Sequence, residues 1–331
     1  MSEGFKMTEE DKGALGAYLL DGKGGAQQLD KEGVARWKPE DGVLWMHINY
    51  MDDDEQEWLR ESSGLEPFVV DALIAEESRP RTTSVGDALL MALRGVNLKP
   101  GAEPDDMVSI RLWVESSRII TARRYKMLSV QDILDHLKSS RGPKDSAEFV
   151  VDLSDRLVIR MSDTVDNFED RAAELEEAVL TGSNHSLKYE LASLRRQTIG
   201  IRRYLAPQRE ALARLSVEKI SWMGEKHYTR IREVSDHLIR HIEDLDAVRE
   251  RSTVIQEELL SRLSEQMNAK MYVLSVVAAV FLPLGFLTGL LGINIGGIPG
   301  AENPSAFIDF IVILVVVVVF QVILFRWKRW F

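Results

Sequence analysis

Two stretches, Met271 to Leu291 and Phe307 to Phe325, restrict what this chain can fold into more than anything else in it. The first contains no charged residue and the second only Asp309, near its start. Each is long enough to cross a hydrocarbon core of about 30 Å as a helix, and a soluble core helix rarely runs so far without a charge. The pair therefore reads as a membrane hairpin. Its first arm contains Ala278, Ala279, Gly285 and Gly289, the two glycines at the four-residue spacing that lets helices approach closely. Pro283 interrupts the same arm; a neighbouring helix can accommodate the carbonyl it frees. One hairpin cannot enclose water, because lipid leaves polar backbone unsatisfied. A transport function would need several copies arranged in a ring of first spans.

Charge is divided along the same line. After Lys270 the charged residues are Glu302, Asp309, Arg326, Lys328 and Arg329, net +1; with −11 for the whole chain, residues 1–270 carry −12. So acidic a soluble part argues against nucleic acid as a partner, which requires a basic face, and suits a protein that gathers cations, although acidity also simply confers solubility. Lys270 precedes the first span and three basic residues follow the second, whereas the connecting loop has no Lys or Arg. Both termini are therefore expected on the cytoplasmic side. Trp327, Trp330 and Phe331 suit an interfacial aromatic belt. The absence of cysteine excludes disulfides, thiolate zinc sites and a cysteine nucleophile, and fits a cytosolic soluble part. Met1 to Gly13 lacks the apolar core of a secretory signal. No phosphate-binding glycine loop, nucleophile elbow or acid-base triad occurs, so no enzyme activity and no catalytic cofactor are expected.

Short β-rich runs at Ala17–Leu20, Val43–Tyr50, Ala88–Val96, Met107–Val114 and Arg118–Ala122 predict strands, with helices at Asp54–Ser62 and Pro67–Glu76 between them. Residues 1–145 thus form a cytosolic α/β domain, in which Lys99 to Pro104 is a turn. From Ser146 onward apolar residues recur every three or four positions. Helices are predicted over Ala147–Leu180 and Ser186–Leu205, the latter bounded by Pro207. A third carries an apolar stripe from Ile231 through Val234, Leu238, Leu245, Ile255, Leu263 and Met267 to Met271, with neither Gly nor Pro between Lys226 and Phe281. Continuous from His227 to Leu291 it would span roughly 95 Å, a length that predicts bundling with neighbours or with copies. The organisation is then a helical domain and stalk over 146–270, a first transmembrane helix over 271–291, an external loop over 292–306, a second transmembrane helix over 307–325 and a basic cytoplasmic tail over 326–331. On the long helix Glu233, His237 and His241 stand four apart and can form a metal face; an exposed, salt-bridged helix face is the alternative.

Just beyond the first span lies Gly292-Ile293-Asn294, a variant of Gly-Met-Asn between two spans, with Asn268, Met271, Pro283 and Gly289 in matching register. Here the sequence resembles the CorA superfamily of divalent-cation transporters, and within it the ZntB zinc-transporter branch, whose Phe-Leu-Thr-Gly-Leu and Gly-Gly-Ile-Pro-Gly are matched by Phe286–Leu290 and Gly296–Gly300. The resemblance is firm over Ile231 to Phe331 and architectural before it. It implies a homopentamer in the bacterial cytoplasmic (inner) membrane, with Zn²⁺ or a related divalent ion (Cd²⁺, Ni²⁺, Co²⁺) as transported substrate. It also implies a selectivity collar at Gly292, Ile293 and Asn294, and a pore lined by Asn268, Met271, Leu274, Leu282 and Gly285. Glu302 would attract cations at the mouth.

An Asn and carbonyl ring suits an ion that keeps its water, since dehydrated Zn²⁺ prefers His or Cys and Mg²⁺ sheds water reluctantly. Asn294 as a helix C-cap is the plainer alternative. Leu291, Ile293 and Gly285 stand where magnesium-transporting members carry Tyr, Met and often Thr, and Gly296 and Gly300 replace loop acids. These departures argue against magnesium. Proton coupling, a Mg²⁺/Co²⁺/Ni²⁺ channel, and a non-transporting membrane-anchored scaffold or sensor stay open on the sequence.

Overall fold

A computed structural model describes residues 16–76, 79–97, 101–103, 105–181, 186–292, 300 and 303–327. Seven strands form one sheet: β1 Gly16–Leu20, β2 Ala26–Leu29, β3 Leu44–Asn49, β4 Arg81–Val85, β5 Ala88–Val96, β6 Met107–Val114 and β7 Arg118–Arg123, in the order β2-β1-β3-β7-β6-β5-β4. Only β3 and β7 pair in parallel, Leu44 opposite Arg118 through Asn49 opposite Arg123; the other pairs are antiparallel. The central strands are buried on both faces, which is why β5 and β6 read as continuous apolar runs.

On one face, Leu44, Met46 and Ile48 of β3 join Leu59 of α2 (Asp53–Glu61) and Val69, Val70 and Leu73 of α3 (Pro67–Ile74) in a single core. On the other, Trp45 packs against Phe149 of α5 (Ser146–Thr181), ring centroids 4.8 Å apart. Here β5 lies so close to its cover that a Cβ built on Gly95 would come within 2.7 Å of Leu157 and 2.9 Å of Met127. The sheet also carries α1 (Lys31–Arg36), and α4 (Leu128–Lys138) packs on α5.

The predicted strands and the helices α2, α3 and α5 occur within a residue or two of their expected ends. The elements β2, β4, α1 and α4 were not anticipated, and Pro207 does not end its helix. α6 runs from Leu187 to Leu215 with Pro207 inside it. An interior proline costs about 3 kcal/mol, but the turns beyond it bury Gln208, Ala211, Leu212 and Leu215, and that burial outweighs the lost bond.

The described chain divides into two compact units, residues 1–256 and 257–331. In the first, α5, α6 and the beginning of α7 (Glu225–Leu291) pack together, with Arg202 paired to Asp246 at 2.6 Å, Arg230 to Asp152 at 3.2 Å, and Arg251 to Glu176. The expected stripe on α7 is buried at Ile231, Val234, Leu238, Leu245, Val248 and Ile255. In the second unit its continuation is exposed at Leu263 and Met267. This unit also contains α8 (Ala306–Trp327).

Candidate functional site: the membrane hairpin

The hairpin is built by composition alone. The apolar window of α7 has no buried residue and that of α8 hardly any. Helices so apolar and so bare are stable only in lipid or against other copies. Met271, Leu274 and Leu282 are 61, 69 and 72% exposed, and Asn268 and Gly285 are exposed as well. One chain therefore leaves all five expected pore-lining residues uncovered. A Cβ built on Gly285 or Gly289 meets nothing within 4 Å, so neither glycine is held against α8. Gly285 instead borders an apolar groove of about 590 Å³ between the two helices, with Phe281, Thr288, Ile311 and Val315.

Gly292 follows the end of α7. Its N–H donates to the carbonyl of Thr288 at 2.9 Å, and a Cβ there would stand 2.7 Å from that same oxygen, so the position requires glycine. Ile293, Asn294 and Glu302 lie outside the described residues. On the far side of the loop Asn303 Oδ1 accepts from both the N–H and the Oγ of Ser305, each at 3.1 Å. Asp309 in the first turn of α8 takes a further bond from Ser305 Oγ at 3.2 Å; acids are favourable at that end of a helix.

The histidine face on α7 is not gathered into a ligand set. Glu233 and His237 are exposed, while His241 is half-buried with its Nε2 3.4 Å from Ser162 Oγ; burial holds His241 below the ordinary histidine range. Among the described residues the three-ligand group that does converge is Asp145, Glu148 and His227, with ligand atoms within 4.8 Å of one another. Both carboxylates accept from backbone at the start of α5: Glu148 N–H donates to Asp145 Oδ1 at 2.8 Å and Lys144 N–H to Glu148 Oε2 at 3.1 Å. His227, 5% exposed, accepts from Gly224 N–H at Nδ1 and has its Nε2 buried without a partner. That His227 joins them was not legible in the sequence, because only the packing of α7 on α5 brings them together.

The soluble unit also holds a cavity of about 480 Å³ lined by Lys31, Trp37, Glu55, Trp58 and Arg118. Burial pushes the Glu55 carboxyl up to about 7, although the Asn49 N–H donates to it.

An α/β unit followed in the chain by two bare apolar helices long enough to span a bilayer defines an integral membrane protein. The chain matches the family model described as CorA-like Mg²⁺ transporter protein over residues 40–329. It is 39% identical over 325 residues to the divalent cation transporter CmaX of Pseudomonas aeruginosa, covering 97% of this chain and 98% of that one. It is 38% identical to the zinc transport protein ZntB of Pectobacterium carotovorum, covering 93% of each. Among solved structures, full-length CmaX superposes with a TM-score of 0.84 at 38% identity, covering 97% of this chain and all of that one. The CorA magnesium transporter of Methanocaldococcus jannaschii superposes at 0.81 with 19% identity, covering 96 and 99%, and so shares the fold. The chain belongs to the CorA family of divalent-cation transporters.

Proposed function

We propose that this protein moves Zn²⁺, with Cd²⁺, Ni²⁺ and Co²⁺ as related ions, across the bacterial cytoplasmic membrane. The pore is the space between the first spans of a homopentamer with both termini in the cytoplasm, and membrane potential or a proton gradient drives flux. The observation that carries this reading is the bare face of α7: Met271, Leu274 and Leu282 are largely exposed in the single chain and lie near whole helical turns of one another, as a wall shared between copies requires. The zinc transport relatives at 37–38% identity support the choice of ion. So does the apolar and amide chemistry of the region. A collar of Asn294 oxygens accepts hydrogen bonds from the waters of a hydrated ion, Glu302 raises the local cation concentration, and rings of Met271, Leu274 and Leu282 close the path by dewetting.

The test is Zn²⁺ uptake into proteoliposomes. Asn294→Ala is expected to cut the initial rate about five- to thirtyfold, the cost of one to two kcal/mol for lost polar contacts; unchanged uptake would remove the collar from the account. The family model is described by magnesium, which supports a second reading as a Mg²⁺ channel. Excess Mg²⁺ in the same assay separates the two: Zn²⁺ uptake survives it if zinc is the substrate and collapses if magnesium is.

A further inference from the structure

Pro283 lies inside α7, which continues to Leu291. Proline has no amide hydrogen, so the helical bond that position 283 would give to the carbonyl of Ala279, four residues earlier, is missing. In water that oxygen would be solvated, but in hydrocarbon it needs a protein donor. The second span supplies one. Gln321 Nε2 donates to the Ala279 carbonyl at 3.2 Å.

Gln321 is the one polar side chain between Ile311 and Phe325, a stretch otherwise of Ile, Leu, Val and Phe. It is 8% exposed, and with Phe325 it makes up the buried residues of α8. Its Oε1 is buried and has no partner. Packing alone does not account for an amide here, because a leucine would fill the same space without leaving a polar atom unpaired. The bond to Ala279 does account for it.

We propose that Gln321 is a positioning residue for ion conduction: its amide replaces the hydrogen bond that Pro283 removes, and so fixes the backbone path of the first span from the second. The role rests on the reading of α7 as the pore wall. Leu282, which that reading places in the pore, lies between the bonded carbonyl and Leu291, so slack in the turn from Ala279 to Pro283 moves this ring directly. The arrangement makes the two spans of one chain a single mechanical unit at this depth.

A double-mutant cycle on the full chain tests it. In Pro283→Ala the new amide regains the Ala279 carbonyl, and Gln321→Leu then leaves that oxygen satisfied by the helix. With Pro283 in place, Gln321→Leu is expected to lower initial Zn²⁺ uptake in proteoliposomes roughly three- to tenfold, the range for an interhelical hydrogen bond in a membrane, and to lower the thermal unfolding midpoint in detergent. In the Pro283→Ala background the same change should alter neither the rate, taken as a ratio to Pro283→Ala alone, nor the midpoint. Equal losses in both backgrounds overturn the proposal, because they report packing rather than the freed carbonyl. Coupled midpoints with uncoupled uptake overturn the positioning role. A wild-type protein that carries neither Zn²⁺ nor Mg²⁺ overturns the pore reading and this role with it, whereas uncoupled midpoints overturn the contact itself.

Discussion

Glu55 is held between opposing demands. Its carboxyl is buried beside the cavity of the soluble unit and next to Asp52, both of which disfavour charge; the Asn49 amide and Arg123 favour it. Burial wins, and the group titrates at about 7 instead of 4.5. The folded protein therefore holds a proton that the unfolded chain releases between those values. The stability this confers is complete below about pH 4.5 and is lost as pH rises through 7. Glu55→Gln retains an acceptor for the Asn49 N–H without the charge. Relative to wild type it should gain roughly 2–3 kcal/mol between pH 5 and pH 8, measured as protection of the β3 amides from hydrogen exchange; a gap independent of pH would refute the assignment. Nothing in the sequence marks Glu55, because it sits in a run of acids, Asp52 to Glu57, and only the docking of α2 on β3 selects which of them is buried. Gly292 is the opposite case. Its need for glycine follows from the helix end that the sequence already implied.

At the scale of elements, local pattern was a good guide wherever one segment decides its own structure. The strands β5, β6 and β7 are apolar runs between turns, and α5 and α7 carry unbroken helical periodicity. The pattern failed where a distant partner decides. β2 is Ala-Gln-Gln-Leu and β4 is Arg-Thr-Thr-Ser-Val, edge strands too polar to read as strands alone, held by pairing to β1 and β5. α6 beyond Pro207 is the same lesson in a helix. Gln208 shows what the extension achieves: β4 pairs with β5 as far as Ala92, and beyond that point α6 addresses the amide and carbonyl of Arg94. The Gln208 side chain takes both, accepting from Arg94 N–H at 2.6 Å and donating to its carbonyl at 3.1 Å. Gln208→Leu preserves the volume but removes both bonds, and should cost about 1–3 kcal/mol. A drop in the unfolding midpoint of the detergent-solubilised protein, absent in the exposed control Arg209→Leu, is the expected result; equal midpoints would show that Arg94 finds other partners.

For the whole molecule, the hairpin and the long helix were legible because lipid imposes its rules on sequence directly: length and absence of charge. The bond between Gln321 and Ala279 was only half legible, since Pro283 announces a free carbonyl but not its donor. The number of chains was not legible from the physics of one chain at all. It enters through the resemblance, and through the argument that a single hairpin cannot surround water. The exposed continuation of the α7 stripe, Leu263 and Met267, lies just before the first span, where the proposed assembly would place an apolar seam between copies. The central claim is that several copies of the hairpin together enclose the ion path. Native mass spectrometry of the detergent-extracted protein tests it most directly: the account requires a closed assembly with a mass of about five 37.5 kDa chains, and a single chain of 37.5 kDa under conditions that preserve transport would contradict it.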